Sequence, residues 1–258
     1  MKLHYRVIGD ETNNKPALFI LHGLFGSSDN WQTLAKRFSA NFTVYLVDQR
    51  NHGRSPHAIE HNYDVMVEDF AELIDDLGID HFNLLGHSMG GKTAIGFAAE
   101  YPELLNKLIV VDISHKQYPM HHEQIVLGLK ALDLSKLKTR GQADRALSAY
   151  IDNAAIRQFL LKNLYWERKG QLAWRINLPV LANDIQKIIE EVYFDTIEVP
   201  TLFVRGELSN YILESDFDEI YNKFPNSKIV TIKNAGHWVH AEQQEIFYQT
   251  IVDFLLSE

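Results

Sequence analysis

The chain has 258 residues, of which 46% are hydrophobic, and a formal net charge of -9. This length suits one globular domain with room for an insertion, and the composition excludes a disordered or fibrous chain. The negative charge disfavours nucleic acid or an anionic membrane surface as a partner. Because the chain has no cysteine, disulfides, a cysteine nucleophile and thiolate metal sites are excluded.

The opening segment MKLHYRVIGD alternates polar and apolar residues. This pattern predicts a strand and differs from the basic segment and hydrophobic run of a signal peptide. No stretch approaches the roughly 20 apolar residues that a membrane span needs. We therefore expect a cytoplasmic protein that does not enter a membrane.

Short apolar runs recur along the chain and predict strands that are buried on both faces, as in a parallel sheet. These runs are ALFIL at 17–21, TVYLV at 43–47, FNLLG at 82–86, KLIVVD at 107–112, VPTLFVRG at 199–206 and KIVTI at 228–232. Amphipathic patterns between them predict helices, most clearly at 64–77, with Asp64 as the N-cap, and at 242–256. Alternating strands and helices predict a mostly parallel, doubly wound α/β sheet.

The alternation stops between Asp112 and Pro200. This interval shows no convincing strand, but it has helical patterns around 121–132, 141–150, 153–164 and 180–193. Ligands of open α/β sheets bind at the carboxyl ends of the strands. We therefore predict a helical cap of residues 114–195, inserted into a core of residues 1–113 and 196–258.

The stretch LLGHSMGGKT at 84–93 satisfies two catalytic patterns. Starting at Gly86, it matches the phosphate-binding loop G-x-x-x-x-G-K-T, for which Asp112 at the end of a neighbouring strand is a possible magnesium ligand. It also matches G-x-S-x-G, a nucleophile elbow with Ser88 at its apex. In the elbow interpretation Lys92 points away from the serine, and Lys92 and Thr93 are ordinary helix residues.

An elbow needs small residues on both sides of its serine, and Gly86 and Gly90 stand at those positions. The helix that follows begins at Met89, so its free N–H groups face a developing oxyanion. A second donor is expected from the loop HGLFGS at 22–27, where Gly23 frees the backbone to turn and the Leu24 N–H is the candidate.

The chain has 12 histidines, and His237 in the segment NAGHWVHAE at 234–242 is the best candidate for a general base. It follows the last predicted strand, and it meets the chain order of nucleophile, acid and histidine. The pairs His121-His122 and His237-x-x-His240 raise the alternative of a metal site. Neither has a carboxylate at ligand spacing, so we predict no metal and no cofactor.

Four segments in order, HGLFGS, DQRNHGRS, GHSMGG and AGHWVHAE, resemble the motifs of the serine α/β hydrolases across nearly the whole chain. Within that superfamily the chain is most similar to the small bacterial YbfF-type esterases. The resemblance implies an α/β-hydrolase fold with its cap after the strand that the family counts as the sixth. It also implies activity on acyl esters or acyl-thioesters, including acyl-CoA.

Many members of the superfamily carry the acid of the triad in a G-x-x-D segment, but here the corresponding run, 206–209, ends in Ser209. A serine hydroxyl cannot supply the negative charge that stabilises an imidazolium. The family's alternative position is the end of strand six, where Asp112 lies, so we predict Asp112 as the acid and Ser209 as a neighbour hydrogen-bonded to it or to the histidine. The competing acids are Glu207, Glu214 and Asp216.

Aromatic side chains of the cap and of the loops around the serine predict an apolar pocket, although an aromatic stripe at helical spacing is more often the cap's own core. The predicted lining residues are Phe25, His87, Phe159, Tyr165, Trp166 and Trp238. We expect a serine esterase or thioesterase acting on a small acyl substrate. Carbon–carbon bond hydrolysis, lactone opening, perhydrolysis and nucleotide binding at Gly86 stay open, as do the acyl-chain length and the oligomeric state.

Overall fold

The computed structural model describes residues 1–10, 14–120 and 122–257, which contain a mixed sheet of seven strands and a separate hairpin. The strands are β1 (Tyr5–Ile8), β2 (Ala17–Leu21), β3 (Thr43–Val47), β4 (Phe82–His87), β5 (Leu105–Val111), β6 (Leu164–Arg168), β7 (Gln171–Trp174), β8 (Thr201–Gly206) and β9 (Ser227–Ile232). The sheet has the order β1-β3-β2-β4-β5-β8-β9, in which only β1 is antiparallel to its neighbour. The predicted mostly parallel α/β sheet is confirmed.

The central strands are apolar on successive positions because both faces of the sheet are covered. Along β2, Leu18 and Ile20 pack into one hydrophobic core, whereas Phe19 and Leu21 pack into the core on the opposite face. All four side chains are almost completely buried. The predicted strands at 17–21 and 43–47 coincide with β2 and β3.

Helices cover the sheet on both sides. The helices, of which α4 to α8 belong to the insertion, are α1 (Gln32–Phe38), α2 (Tyr63–Leu77), α3 (Met89–Glu100), α4 (Glu123–Ala131), α5 (Arg140–Leu147), α6 (Ala154–Leu161), α7 (Leu178–Asn183), α8 (Ile185–Ile189), α9 (Phe217–Lys223), α10 (Val239–Glu242) and α11 (Gln244–Leu256). Helices α1 and α11 bury Phe38 and Phe247 on one face, and α2 and α3 bury Phe70 and Phe97 on the other. None of the helices in the described part of the chain is long and apolar enough to cross a membrane.

The start of α2 differs from the prediction. The N-cap is Asn62, whose side chain accepts a hydrogen bond from the Val65 N–H at 3.0 Å. Asp64 therefore lies in the first turn, where its negative charge interacts favourably with the positive end of the helix dipole. Gly78, in the left-handed conformation with φ 62°, ends the helix.

The segment between β5 and β8 holds α4 to α8 together with β6 and β7, so the prediction of a wholly helical interval is wrong. The two strands pair antiparallel across a turn at Lys169 and Gly170, with Gly170 at φ 78°. Leu164 and Leu172 are buried. The hairpin is short and only one face is apolar, so its alternation was too weak to separate it from the helical patterns around it.

This inserted segment contacts the loops that follow the parallel strands. Asn163 Nδ2 donates to the carbonyl oxygen of Phe25 at 2.7 Å, and the Asn177 N–H donates to that of Asn51 at 2.9 Å. The ring of Phe159 lies 5.7 Å from that of Trp238. The insertion therefore lies over the carboxyl ends of the strands, and it follows β5, the strand that the family counts as the sixth.

Candidate active site

Ser88 occupies a sharp turn between β4 and α3. Its backbone dihedrals are φ 54° and ψ -121°, a strained conformation for a residue with a side chain. Its carbonyl oxygen accepts hydrogen bonds from the Gly91 and Lys92 N–H groups at 2.8 and 3.1 Å, which begin the helix directly behind it. The turn holds the Ser88 side chain clear of both elements.

Crowding explains the two glycines that flank this turn. A Cβ atom on Gly86 would lie 2.2 Å from the Gly90 carbonyl oxygen, and one on Gly90 would lie 2.5 Å from the Leu21 carbonyl oxygen. Both distances are far shorter than a van der Waals contact with backbone, which cannot move aside. The predicted supporting role of Gly86 and Gly90 therefore has a steric basis.

Ser88, His237 and Asp112 come from three different loops and form a chain of hydrogen bonds. Ser88 Oγ lies 3.0 Å from His237 Nε2, and His237 Nδ1 lies 2.8 Å from Asp112 Oδ2. His237 is partly exposed, whereas Asp112 is fully buried. These are the distances that a nucleophile, a base and an orienting acid require.

The carboxylate of Asp112 accepts hydrogen bonds from three donors. Oδ1 accepts from the Gly206 N–H at 2.9 Å, and Oδ2 accepts from Ser209 Oγ as well as from His237. Asp112 itself has φ 49°, which turns the chain sharply after β5. Ser209 is predicted to hydrogen-bond to Asp112 or to the histidine, and in the structure its hydroxyl donates to Asp112.

The competing carboxylates have other partners. Glu207 Oε2 accepts from the Asn234 N–H at 2.9 Å, and Asp216 Oδ2 accepts from Lys116 Nζ and from the Leu213 N–H. No hydrogen bond joins Glu207, Glu214 or Asp216 to His237 within the described residues.

Two aromatic side chains hold the loop of His237. Tyr211 stacks on the imidazole with 4.0 Å between ring centroids, and His87 Nε2 lies 2.9 Å from the His237 carbonyl oxygen. Since a carbonyl only accepts, Nε2 of His87 carries a proton. Burial lowers the pKa of His87 well below its ordinary value, with the neighbouring His240 and His237 acting in the same direction, so the ring is neutral.

The two predicted oxyanion donors are the backbone N–H groups of Leu24 and Met89. Among the described residues, neither the Leu24 N–H nor the Met89 N–H has a hydrogen-bond acceptor. Met89 is the first residue of α3, where the helix dipole is positive. Gly23 runs beside the serine: a Cβ atom on it would lie 3.0 Å from His87 Nδ1 and 3.1 Å from Ser88 Cβ. A larger residue at position 23 would push this loop away from Ser88.

Ser88 and His237 open into a cavity of about 60 Å³ between the core and the insertion. Four predicted pocket residues line it, namely Phe25, His87, Phe159 and Trp238. Leu24 and Leu160 also line it. Sequence reasoning missed the remaining lining side chains: His22, Asn30, Trp31, His122, Ile125, Ile156 and His240. Ile156 had a detectable signal, because it shares one face of α6 with Phe159 and Leu160 at helical spacing.

Tyr165 and Trp166 do not line this cavity, which corrects the prediction. Both lie on β6, where Trp166 is 47% exposed and Tyr165 packs beneath the guanidinium of Arg175 at 4.7 Å. The prediction placed no strand in this region, and the hairpin changes which side chains face the core.

Lys92 and Thr93 are fully buried, so Lys92 is not an ordinary surface residue of its helix. Lys92 Nζ donates to the carbonyl oxygens of Lys116, at 2.8 Å, and Glu190. Burial lowers the pKa of Lys92 to about 7, against the opposite effect of the Glu191 and Glu190 carboxylates. An ammonium enclosed by backbone carbonyls is not placed to hold a nucleotide phosphate.

Across residues 1–10, 14–120 and 122–257, no three His, Asp or Glu side chains are grouped closely enough to hold a metal ion. His240 is instead stacked on Trp31, with 4.2 Å between ring centroids. His121, named in the alternative of a metal site, lies outside the described residues.

The sheet order, the strained serine turn and the insertion after β5 define an α/β hydrolase. A family model described as alpha/beta hydrolase fold matches residues 16–244, and the chain belongs to this family. It is 39% identical to the mouse sn-1-specific diacylglycerol lipase ABHD11, over 99% of this chain and 85% of that protein. It is 34% identical to esterase YbfF of Escherichia coli (strain K12), over 99% of both chains.

A solved structure described as a marine microorganism esterase superposes with a TM-score of 0.95. It is 43% identical in sequence, and the match covers 98% of this chain and 99% of that one. These relatives, named esterase or lipase, support a hydrolase.

Proposed function

We propose that this protein is a serine hydrolase that cleaves small acyl esters or acyl-thioesters. The observation that carries the proposal is the hydrogen-bonded chain from Ser88 Oγ through His237 to Asp112, open to a cavity beside the backbone N–H groups of Leu24 and Met89, which have no acceptor in the described part of the chain. Acyl transfer needs these parts: a hydroxyl nucleophile, a base in contact with it and donors for an oxyanion.

In the proposed mechanism, Ser88 Oγ attacks the acyl carbonyl carbon while its proton passes to His237 Nε2. The carbonyl oxygen becomes negative and accepts hydrogen bonds from the Leu24 and Met89 N–H groups. When this intermediate collapses, the bond to the alkoxide or thiolate breaks, and the leaving group takes the proton from His237. Water then attacks the acyl-enzyme by the same route, which releases the carboxylic acid and restores Ser88.

Asp112 is proposed to hold the imidazole so that Nδ1 carries a proton and Nε2 is free to accept the one from Ser88. It would also stabilise the imidazolium as it forms. Ser209 and the Gly206 N–H fix the carboxylate in turn.

The substrate class is inferred from the cavity. Its volume of about 60 Å³ is well below the roughly 150 Å³ of a cavity that binds benzene. The apolar side chains of Ile125, Ile156 and Phe159 suit a hydrocarbon chain. We therefore expect a short acyl group, and we assign residues 114–195 the role of a cap that closes this site over the core of 1–113 and 196–258.

The test combines a covalent probe with a substrate series. We expect a fluorophosphonate probe to label the wild-type protein but not Ser88→Ala, which should also lose at least about 10⁴-fold in kcat on an aryl acetate. Ser148→Ala, an exposed serine of the cap, is the matched control and should react like wild type. Aryl esters and acyl-CoA of increasing chain length then define the acyl group and the leaving group.

Wild-type turnover by Ser88→Ala would overturn the proposal. Ser88-dependent labelling without ester or thioester turnover would redirect the search to lactone, carbon–carbon bond or perhydrolysis substrates, which need the same three side chains.

A further inference from the structure

The loop at 22–27, which carries the Leu24 N–H, is held by hydrogen bonds at successive peptide groups. The Gly23 carbonyl oxygen, in the same peptide unit as the Leu24 N–H, accepts from the Gly26 N–H at 2.9 Å and lies 2.9 Å from His22 Nδ1. In a trans peptide the C=O and N–H point in opposite directions. Two donors on the Gly23 carbonyl therefore aim the Leu24 N–H away from them.

The Phe25–Gly26 peptide unit is fixed from the insertion. The Gly26 N–H shares its peptide with the Phe25 carbonyl oxygen, which accepts from Asn163 Nδ2 at 2.7 Å. Asn163 is 4% exposed, and its amide group also donates to the Leu160 carbonyl oxygen at 3.1 Å. Both partners are carbonyls, which only accept, so the amide nitrogen must face them and its orientation is settled.

Phe25 needs such support because it has φ 58°, a conformation that residues with side chains rarely adopt. Its N–H donates to His52 Nε2 at 3.1 Å, while His52 Nδ1 lies 2.9 Å from the Arg50 carbonyl oxygen. The imidazole is buried and neutral, with its proton on Nδ1. His52, in the otherwise unexplained segment DQRNHGRS, therefore holds the core side of Phe25, and Asn163 holds the side toward the insertion.

We propose that Asn163 is a positioning residue that completes the oxyanion site from the cap through a relay of two peptide units. The relay runs from Asn163 Nδ2 to the Phe25–Gly26 peptide, from its N–H to the Gly23–Leu24 peptide, and from the Leu24 N–H to the oxyanion. It rests on the proposed function. Each hydrogen bond polarises the next peptide, so the relay strengthens the final donor as well as aiming it.

The relay has a consequence for the cap. A cap that shifts relative to the core removes the donor on Phe25 and relaxes the Leu24 N–H, so full oxyanion stabilisation requires the cap to be docked. The Leu24 N–H itself cannot be deleted by changing a side chain. Asn163 is the point at which its orientation can be perturbed without altering any group that touches the substrate.

Asn163→Leu keeps the approximate volume and removes both donors. We expect kcat on an aryl acetate to fall about 10- to 100-fold with KM nearly unchanged, less than the 10²- to 10³-fold cost of deleting an oxyanion donor. The rate of inactivation by a fluorophosphonate should fall by a similar factor, because a negative phosphoryl oxygen develops at the same place.

Asn177→Leu is the matched control, since it removes two other hydrogen bonds between insertion and core, to Asn51 Oδ1 and to the Ala58 carbonyl oxygen, without touching residues 22–27. A purely structural role for Asn163 would make both variants alike, with lower melting temperatures and little change in kcat. Asn163→Asp, which has nearly the same shape but cannot donate when ionised, replaces Asn163→Leu if that variant does not fold.

Wild-type kcat and inactivation rate in a folded Asn163 variant would overturn the relay while leaving the proposed function intact. A wild-type protein that shows no Ser88-dependent labelling would instead refute the proposed function itself.

Discussion

Ser209 stands where many relatives of the superfamily carry an acid, and the carboxylate against the histidine comes from a different strand. Asp112 follows β5, turns with φ 49° and places Oδ2 2.8 Å from His237 Nδ1. Ser209 remains beside this site as a hydrogen-bond donor to Asp112. The Ser209 hydroxyl, at the position where those relatives have an acid, thus helps to orient the Asp112 carboxylate.

At the scale of single residues, the prediction concerns the negative charge of Asp112. Asp112→Asn should lower kcat by about 10⁴-fold with little change in KM, because a neutral amide favours the wrong tautomer of His237 and cannot stabilise the imidazolium. Glu207→Gln, whose carboxylate contacts only the Asn234 N–H among the described residues, is the control and should stay within a few-fold of wild type. Steady-state kinetics on an aryl acetate checks both, and the reverse ranking would identify Glu207 as the acid.

At the scale of elements, α3 joins the serine turn to both ends of the insertion. Lys92, one helical turn after Ser88, donates to the carbonyl oxygen of Lys116 near the start of the insertion and to that of Glu190 near its end. The Nζ atom also lies 5.0 Å from the ring centroid of Tyr118. The Lys92 side chain therefore connects both ends of the insertion to the helix that begins directly after Ser88.

The lowered pKa of Lys92 predicts a pH-dependent contribution to stability. Between about pH 7 and the ordinary lysine pKa near 10.4, the unfolded chain holds a proton that the folded chain has lost. The free energy of unfolding contributed by this group must therefore rise with pH across that window, by up to about 1.4 kcal/mol per pH unit.

Urea unfolding at pH 6.5, 7.5, 8.5 and 9.5 measures this slope. Lys92→Met should show a flatter profile than wild type, because it has no proton to lose. Lys36→Met, at an exposed position of α1, should keep the wild-type slope. Parallel profiles for wild type and Lys92→Met would contradict the depressed pKa.

Over the whole molecule, several histidines are buried and neutral. Burial lowers the pKa of each of them, to about 4 for His61 and about 3 for His240. The others with this behaviour and nearly complete burial are His22, His52, His87 and His115. Protonation would place a charge in an apolar interior, and in His22 and His52 it would also remove the lone pair that accepts from a backbone N–H.

These histidines predict acid sensitivity. Below the ordinary histidine pKa of about 6.5 the unfolded chain gains protons that the folded chain does not, so stability should fall as the pH drops from 7 toward 5. Each histidine whose pKa lies below this pH range contributes up to about 1.4 kcal/mol per pH unit to the loss of unfolding free energy. Unfolding free energies at pH 7, 6 and 5 check this.

His240→Phe should reduce the slope of the unfolding free energy with pH by about the contribution of one histidine. His57→Gln, at an exposed position, should leave this slope unchanged. A stability that is constant from pH 7 to pH 5 would show that the buried rings take up protons without cost.

Most of the core strands and the serine turn could be predicted because their signals are local. Apolar runs located β2 and β3, and the glycines around Ser88 follow from the backbone approach of Gly90 to Leu21. The N-cap of α2, the hairpin of β6 and β7 and the side chains lining the cavity from α4 were missed. The N-cap depends on which of several neighbouring polar residues caps the helix. The hairpin and the cavity lining depend on which face of a short element packs inward, and tertiary packing decides this.

By itself the sequence determined the alternation of strands and helices, the place of the insertion and the order in which Ser88, Asp112 and His237 occur, since periodicity and turn chemistry act over a few residues. Only the tertiary structure decided which carboxylate lies against His237, which carbonyls enclose Lys92 and that Asn163 reaches the loop beside Ser88. Apart from Lys116, which is 24 residues from Lys92, those partners are about 100 to 140 residues apart in the chain, and they meet because parallel strands end at one edge of the sheet.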